Sequence, residues 1–383
     1  MSLKKALSVM TAAVAIGLIG FGGWIATLPP DVVRTPAKPV PQTEKDTMLA
    51  ALALRTNARP LIAIIGLNDA TETTDYLVPT GILRRADVAD VIMLATGPGP
   101  VRLFPALQVE ADATVAAFDT LHPQGADYVV VPAMSRDDDP VVLDWLRAQS
   151  SKGAVIIGIC AGAKIVAAAG LLDGKRATTH WYYLDEMLRR SPSIRHVADR
   201  RMVADGRVFT TTGVSASMPM MLALIEAIGG RARAEKVAQD LGMQAWGLEH
   251  STAAFRLTRA FATTVLRNRL AFWMHETFGI RLRPGMDEAA VALVADGWSR
   301  TYRSRAVSVA ETGQAIVTAN GIRILPDRVS GAGSYDRWLT LPTGQTPAEA
   351  LDNMLGMIGD AYGRPTRDMV AMQLEYPTAE VAR

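Results

Sequence analysis

The chain has 383 residues, 49% apolar and 20% charged, with a formal net charge of +2. That length exceeds one average domain, and the composition is that of a globular protein with a large core. The near-balanced charge argues neither way about nucleic acid, while a single cysteine, Cys160, excludes an internal disulfide and a cysteine-rich metal site.

Lys4 and Lys5 precede a charge-free apolar run over residues 6–28. A span of roughly 20 apolar residues crosses a bilayer core, so the run is read as an uncleaved transmembrane anchor. The competing reading is a cleaved signal peptide, although no A-x-A site follows. Residues 1–5 would stay in the cytoplasm and the globular part would lie outside it, in the periplasm of a Gram-negative source. The proline-rich residues 29–57 read as a tether.

The runs 59–66, 88–95, 126–133 and 152–159 are short, apolar and β-branched, as buried strands are. A helix is expected over 74–85, and another over 139–151, where Asp139 before Pro140 suits a helix start better than a cation site. Strands alternating with helices imply a parallel sheet covered on both faces. Residues 202–213 read as a hairpin turning at Asp205-Gly206, followed by a helix that stops at Gly229-Gly230. This first unit spans 58–248. A long linking helix over 249–279 carries Arg256, Arg259, Arg267 and Arg269 on a solvated face. Residues 280–383 read as a smaller α/β segment, with 287–298 as a strand. "GRARAEKVAQDL" (230–241) and "GRPTRDMVAMQL" (363–374) align without gaps. The segment is therefore read as a degenerate second copy that lacks a cysteine.

"GICAGAKIVAAAGLLDGKRATTHW" (158–181) places Cys160 between small residues, after an apolar strand and before an apolar helix. That is the logic of a nucleophile elbow. A thiol at a helix start meets unpaired N–H groups, which favour thiolate and a lowered pKa. The plain alternative is a small residue that packs well.

The same stretch resembles the ThiJ/PfpI superfamily, within the class I glutamine-amidotransferase-like fold, in the form found in isonitrile hydratases and in the N-terminal half of AraC-type regulators. "TDYLVPTGIL" (74–83), with Asp75 four positions before Pro79, resembles the family's segment after the first strand, and the 202–247 region resembles its closing hairpin and helices. The resemblance implies a flavodoxin-like three-layer α/β/α sandwich. It implies Cys160 as nucleophile, Asp75 as its proton partner, His180 as an orienting or proton-passing group, and backbone N–H groups of Ala161 and Met134 as the anion pocket. Asp75 as a helix N-terminal carboxylate or cap and His180 as a packing residue remain open alternatives.

Three departures stand out. Pro132-Ala133-Met134 replaces the family's Pro-Gly-Gly, and Ala161 replaces the threonine of isonitrile hydratases or the histidine of the family's proteases. No His-x-Glu pair lies near 211–217, so glutamine amidotransfer is disfavoured. The expectation is a cysteine-dependent hydratase or hydrolase acting on a small electrophile, with no cofactor or metal and no nucleic-acid partner, and with a homodimer left open. The alternative is a ligand or redox sensor using the same cysteine. An AraC-like regulator is set aside because no helix-turn-helix pair follows.

Overall fold

The computed structural model describes residues 20–32, 36–54 and 58–377. A seven-stranded sheet runs in the order Met202–Asp205, Val208–Thr211, Val155–Gly158, Tyr128–Val131, Leu61–Gly66, Asp90–Ala95 and Ala113–Thr114. All neighbours are parallel except the edge hairpin, where Asp205 pairs with Val208 about the expected turn. The side chains alternate between two cores. Ile62, Ile64 and Val130 face one, and Ala63, Ile65 and Val129 face the other. A strand points successive residues to opposite faces, so an unbroken apolar run is what a doubly covered strand requires. The α/β fold is thus the expected flavodoxin-like one, with a mixed rather than purely parallel sheet.

The helix Thr73–Ala86 follows the first strand and is buried along most of its length. It sits between the helix Ser217–Gly229 and a helix of the C-terminal half, Glu288–Ser299. That last helix occupies the stretch expected as a strand. Its residues 288–298 are all buried, so no polar face marks its 3.6-residue period. The helix expected over 249–279 is instead broken into a 3-10 turn, the helix Arg259–Leu270, a second 3-10 turn and the strand Glu276–Arg281. Gly279 lies inside that strand, where a Cβ would meet the Trp338 ring at 2.7 Å.

A second sheet runs Arg328–Val329, Ser304–Ala310, Glu276–Arg281, Arg337–Leu339, all parallel. A five-stranded sheet joins the two halves, with Gln108–Glu110 antiparallel to Arg323–Leu325. The helices Pro347–Tyr362 and Arg364–Gln373 close the chain.

The N-terminal expectations need correction. Residues 6–19 of the expected anchor lie outside the described residues. Among the described residues no helix is long and apolar enough to cross a membrane, so a single-pass membrane protein with an extracytoplasmic body is not supported. The described end of that stretch is helical over 20–27 and lies against the body. Arg259 Nη2 donates to the Ala26 carbonyl at 2.7 Å, and its backbone N–H donates to Pro29 at 2.7 Å. These bonds satisfy backbone groups that a helix end leaves unpaired. Within the expected tether, the helix Gln42–Leu52 buries Met48 and Leu52 and is pinned by a two-point bond from Arg200 to Glu44 at 2.8 and 2.9 Å.

Candidate active site

Cys160 sits between the strand Val155–Gly158 and the helix Gly162–Ala168 with φ +55. Left-handed backbone at a non-glycine residue costs about 1–2 kcal/mol and persists only where the surroundings over-determine it. Here they do. The Cys160 N–H donates to Thr211 Oγ1 at 3.1 Å, and Thr179 Oγ1 donates to the Cys160 carbonyl at 2.9 Å. The turn also needs its glycine, since a Cβ on Gly162 would stand 2.0 Å from the Val131 carbonyl oxygen. Cys160 is buried and is among the residues that line a cavity of about 900 Å³.

Asp75 is fully buried near the start of the helix Thr73–Ala86. The Ala133 N–H donates to its Oδ2 at 3.2 Å, while Oδ1 has no hydrogen-bond partner. Burial pushes its pKa well above the carboxylate range, the charge of Glu72 adds to this, and the Ala133 bond opposes it. The helix cap is Glu72 rather than Asp75: Glu72 Oε2 accepts from the Asp75 N–H at 2.6 Å. Asp75 is thus not the cap, but it lies in the first turn of the helix, so the reading of it as a helix N-terminal carboxylate stands.

The lowered thiol pKa expected from the helix start is reversed. Burial raises the Cys160 thiol well above its ordinary value, and the charges of Asp75 and Glu72 raise it further, against a lowering bond from the Ala161 N–H. The helix begins at Gly162 and is only seven residues long, so its dipole is a small counterweight. Thiol and carboxyl are both driven towards their neutral forms by burial and by like charge.

His180 is brought to the same cavity, but both ring nitrogens are engaged. Its Nδ1 accepts from the Tyr182 N–H at 3.2 Å, which leaves the ring proton on Nε2 to donate to the Gln373 carbonyl at 2.9 Å. Burial lowers its pKa, opposed by Glu375. The imidazole is therefore a neutral brace between the elbow unit and the C-terminal helix.

Ala161 and Met134 both line the cavity. Met134 faces Thr71 in an antiparallel bridge whose hydrogen bonds come from its neighbours, Glu72 N–H to Ala133 O and Ser135 N–H to Ala70 O. The Met134 N–H thus points away from Thr71, as in any non-hydrogen-bonded pair. The side of the cavity is aromatic, with Trp24, Trp181, Tyr182, Phe261 and Tyr302.

Several site residues were invisible to sequence reasoning. Arg300 Nη2 donates to Glu72 Oε1 at 2.6 Å, and its Nε donates to Asp296 Oδ2 at 2.6 Å. Glu375 accepts from the Gly213 N–H and pairs with His250 Nε2 at 3.1 Å. Arg300, Asp296, Glu375 and His250 all come from the C-terminal half or the linker, whose pairing with the elbow unit no local pattern records. Asp137 pairs with Lys164 at 3.1 Å, and Asp139 caps its helix as expected.

Comparison with known proteins bears on the first unit. Residues 62–227 match the DJ-1/PfpI family. The chain is 35% identical over 105 residues to an isonitrile hydratase of Pseudomonas putida, covering 27% of this chain and 44% of that enzyme. It is 26% identical over 185 residues to the Parkinson disease protein 7 homolog of Danio rerio, covering 47% of this chain and 95% of that protein. It is also 30% identical over 184 residues to the HTH-type transcriptional regulator CdhR of Pseudomonas aeruginosa, covering 47% of this chain and 52% of the regulator. The chain therefore spans less than half the length of the hydratase and about half that of the regulator. An elbow cysteine on a flavodoxin-like sheet, matched through this stretch, places residues 62–227 in the DJ-1/PfpI family.

Proposed function

We propose that the chain is a cysteine-dependent enzyme of the hydratase or hydrolase type, acting on a small electrophile with a carbonyl or nitrile-like carbon. The observation that carries the reading is the buried Asp75 carboxyl, with Oδ1 unpaired, electrostatically coupled to a cysteine on a strained bend at a cavity wall. Leaving a buried polar atom unpaired costs about 1–3 kcal/mol, so such an atom calls for a role.

In this reading Asp75 starts protonated. It gives its proton to the substrate's heteroatom and takes the thiol proton in exchange, while a C–S bond forms and one π bond opens onto the heteroatom. Where the carbon carries an ester-type leaving group, that C–O bond breaks next and the alcohol departs with the proton given to its oxygen; water then adds to the same carbon, the C–S bond breaks, and the sulfur recovers a proton. The sum is substrate plus water, and Asp75 ends as it began. Backbone N–H groups of Ala161 and Met134 would face the charge that develops. Ala161 argues against an isonitrile as the preferred substrate, although a relative's name includes one. The aromatic wall favours a substrate with an apolar body.

A second reading, a sensor that forms a stoichiometric adduct, is favoured by one observation: the engaged ring of His180 leaves the site a single mobile proton carrier. The test is a screen of purified protein against carbonyls, nitriles, isonitriles and esters. Turnover that disappears in Cys160→Ser supports the enzyme; an adduct formed once per chain without turnover supports the sensor.

A further inference from the structure

The C-terminal sheet repeats the order of half of the main one. In the first unit Leu61–Gly66 lies between Asp90–Ala95 and Tyr128–Val131, and Asp90–Ala95 pairs outward with Ala113–Thr114. In the second, Glu276–Arg281 lies between Ser304–Ala310 and Arg337–Leu339, and Ser304–Ala310 pairs outward with Arg328–Val329. A helix links the first two strands in each, Thr73–Ala86 and Glu288–Ser299. Each unit closes with two helices joined at a left-handed glycine, Gly230 at φ 82, ψ 165 and Gly363 at φ 84, ψ 160. The strands Gln108–Glu110 and Arg323–Leu325 then pair antiparallel across the junction, as equivalent edges related by a two-fold axis do. The strand Val155–Gly158, the elbow and the edge hairpin have no counterpart among the described residues of the second unit.

The linking helices exchange ion pairs in the same symmetric way. Glu72 and Asp287 are their N-caps. Arg85 reaches Asp287 and Arg300 reaches Glu72, and each arginine stands 13 positions after the cap of its own helix. The pairs are equivalent in geometry but not in setting. Only Glu72 bonds the Asp75 N–H, and its charge is one of those that raise the Cys160 thiol.

We propose that the C-terminal unit is a degenerate second copy that serves as a built-in subunit, and that its Arg300 is a positioning residue that offsets the Glu72 charge beside Asp75 and Cys160. This rests on the proposed cysteine chemistry. The charged and titratable groups around the pair are Glu72 on its own helix, Asp296 and Arg300 from the second unit, and Glu375, His180 and Tyr183 around the sulfur. Among these groups Arg300 carries the positive charge nearest Glu72, at 2.6 Å.

The test is the pH midpoint of Cys160 alkylation by iodoacetamide in the full chain. Arg300→Met should raise the midpoint by about one pH unit, so that alkylation below it slows about tenfold. Arg300→Lys should give a smaller rise. Arg85→Met removes the equivalent pair at the far end and should leave the midpoint unchanged. The double variant Glu72→Gln, Arg300→Met removes both charges and should return the midpoint towards the parent value; it and Arg300→Lys carry the test if Arg300→Met does not fold. Equal midpoints in the Arg300 and Arg85 variants would overturn the inference. The readout needs only the thiol, so this failure is distinct from failure of the enzyme reading, which shows as turnover surviving in Cys160→Ser.

Discussion

The Nε2–H of His180 donates to the carbonyl of Gln373 at 2.9 Å, 193 positions further along the chain. This bond holds the C-terminal helix against the elbow unit, and we propose that bracing is the histidine's role. His180→Gln should therefore lower Tm and leave the shape of the turnover pH profile unchanged. The cost is about 1 kcal/mol for each hydrogen bond lost. The folded-state pKa of His180 lies below its ordinary value of 6.5. The unfolded chain thus binds the extra proton first, and the histidine's contribution is present above pH 6.5 and lost as pH falls below it. Thermal melts from pH 5 to 8 should show a shallower acid loss in the variant. Disappearance of a limb of the turnover profile would return His180 to proton transfer.

Asp75 behaves oppositely in sign. Its folded pKa is raised, so the folded chain binds the proton more tightly than the unfolded one. Stability is therefore greatest below the ordinary carboxyl pKa and declines as pH rises above it. Asp75→Asn should raise Tm at pH 7, with the gain shrinking to nearly nothing by about pH 4. The same variant should cut turnover by about 10²–10⁴. A gain in stability paired with a loss of activity is the signature expected of a buried catalytic acid.

The bend at Cys160 stores strain that glycine does not feel. Cys160→Gly should be more stable than Cys160→Ala by about 1 kcal/mol, measured by urea denaturation, although glycine normally costs stability. If alanine proves the more stable of the two, the strained elbow is wrong.

Gly162→Ala meets a different obstacle. Its Cβ would fall 2.0 Å from a backbone oxygen, which cannot swing aside as a side chain would. Expression of this variant should yield little folded protein, or a chain whose Cys160 has become freely alkylated at pH 7.

The legible parts of this molecule were the local ones. The hairpin at Asp205-Gly206, the elbow and the strands Leu61–Gly66 and Val155–Gly158 declare themselves within a few residues, because turn chemistry and a doubly buried strand leave a short-range mark. The helix Glu288–Ser299 does not. Pressed between two units it is apolar on every side, and it reads as a strand. The apolar residues before Pro29 read as a membrane span by hydropathy alone, yet Trp24 lines a cavity in the body and Ile25 is buried. Hydropathy registers the need to leave water and not the surface that meets it. The site was half visible. Cys160 stood out by its motif and Asp75 by the family resemblance, whereas Arg300 and Glu375 come to this region through tertiary contacts across 228 and 162 positions.

The central claim is that Cys160 and Asp75 titrate together. It is tested most directly by following alkylation of Cys160 against pH in the parent chain and in Asp75→Asn. The account predicts a parent midpoint above the ordinary thiol value of 9.0, and a lower one in Asp75→Asn, where the like charge is gone. Superimposable curves with an ordinary thiol midpoint would contradict it.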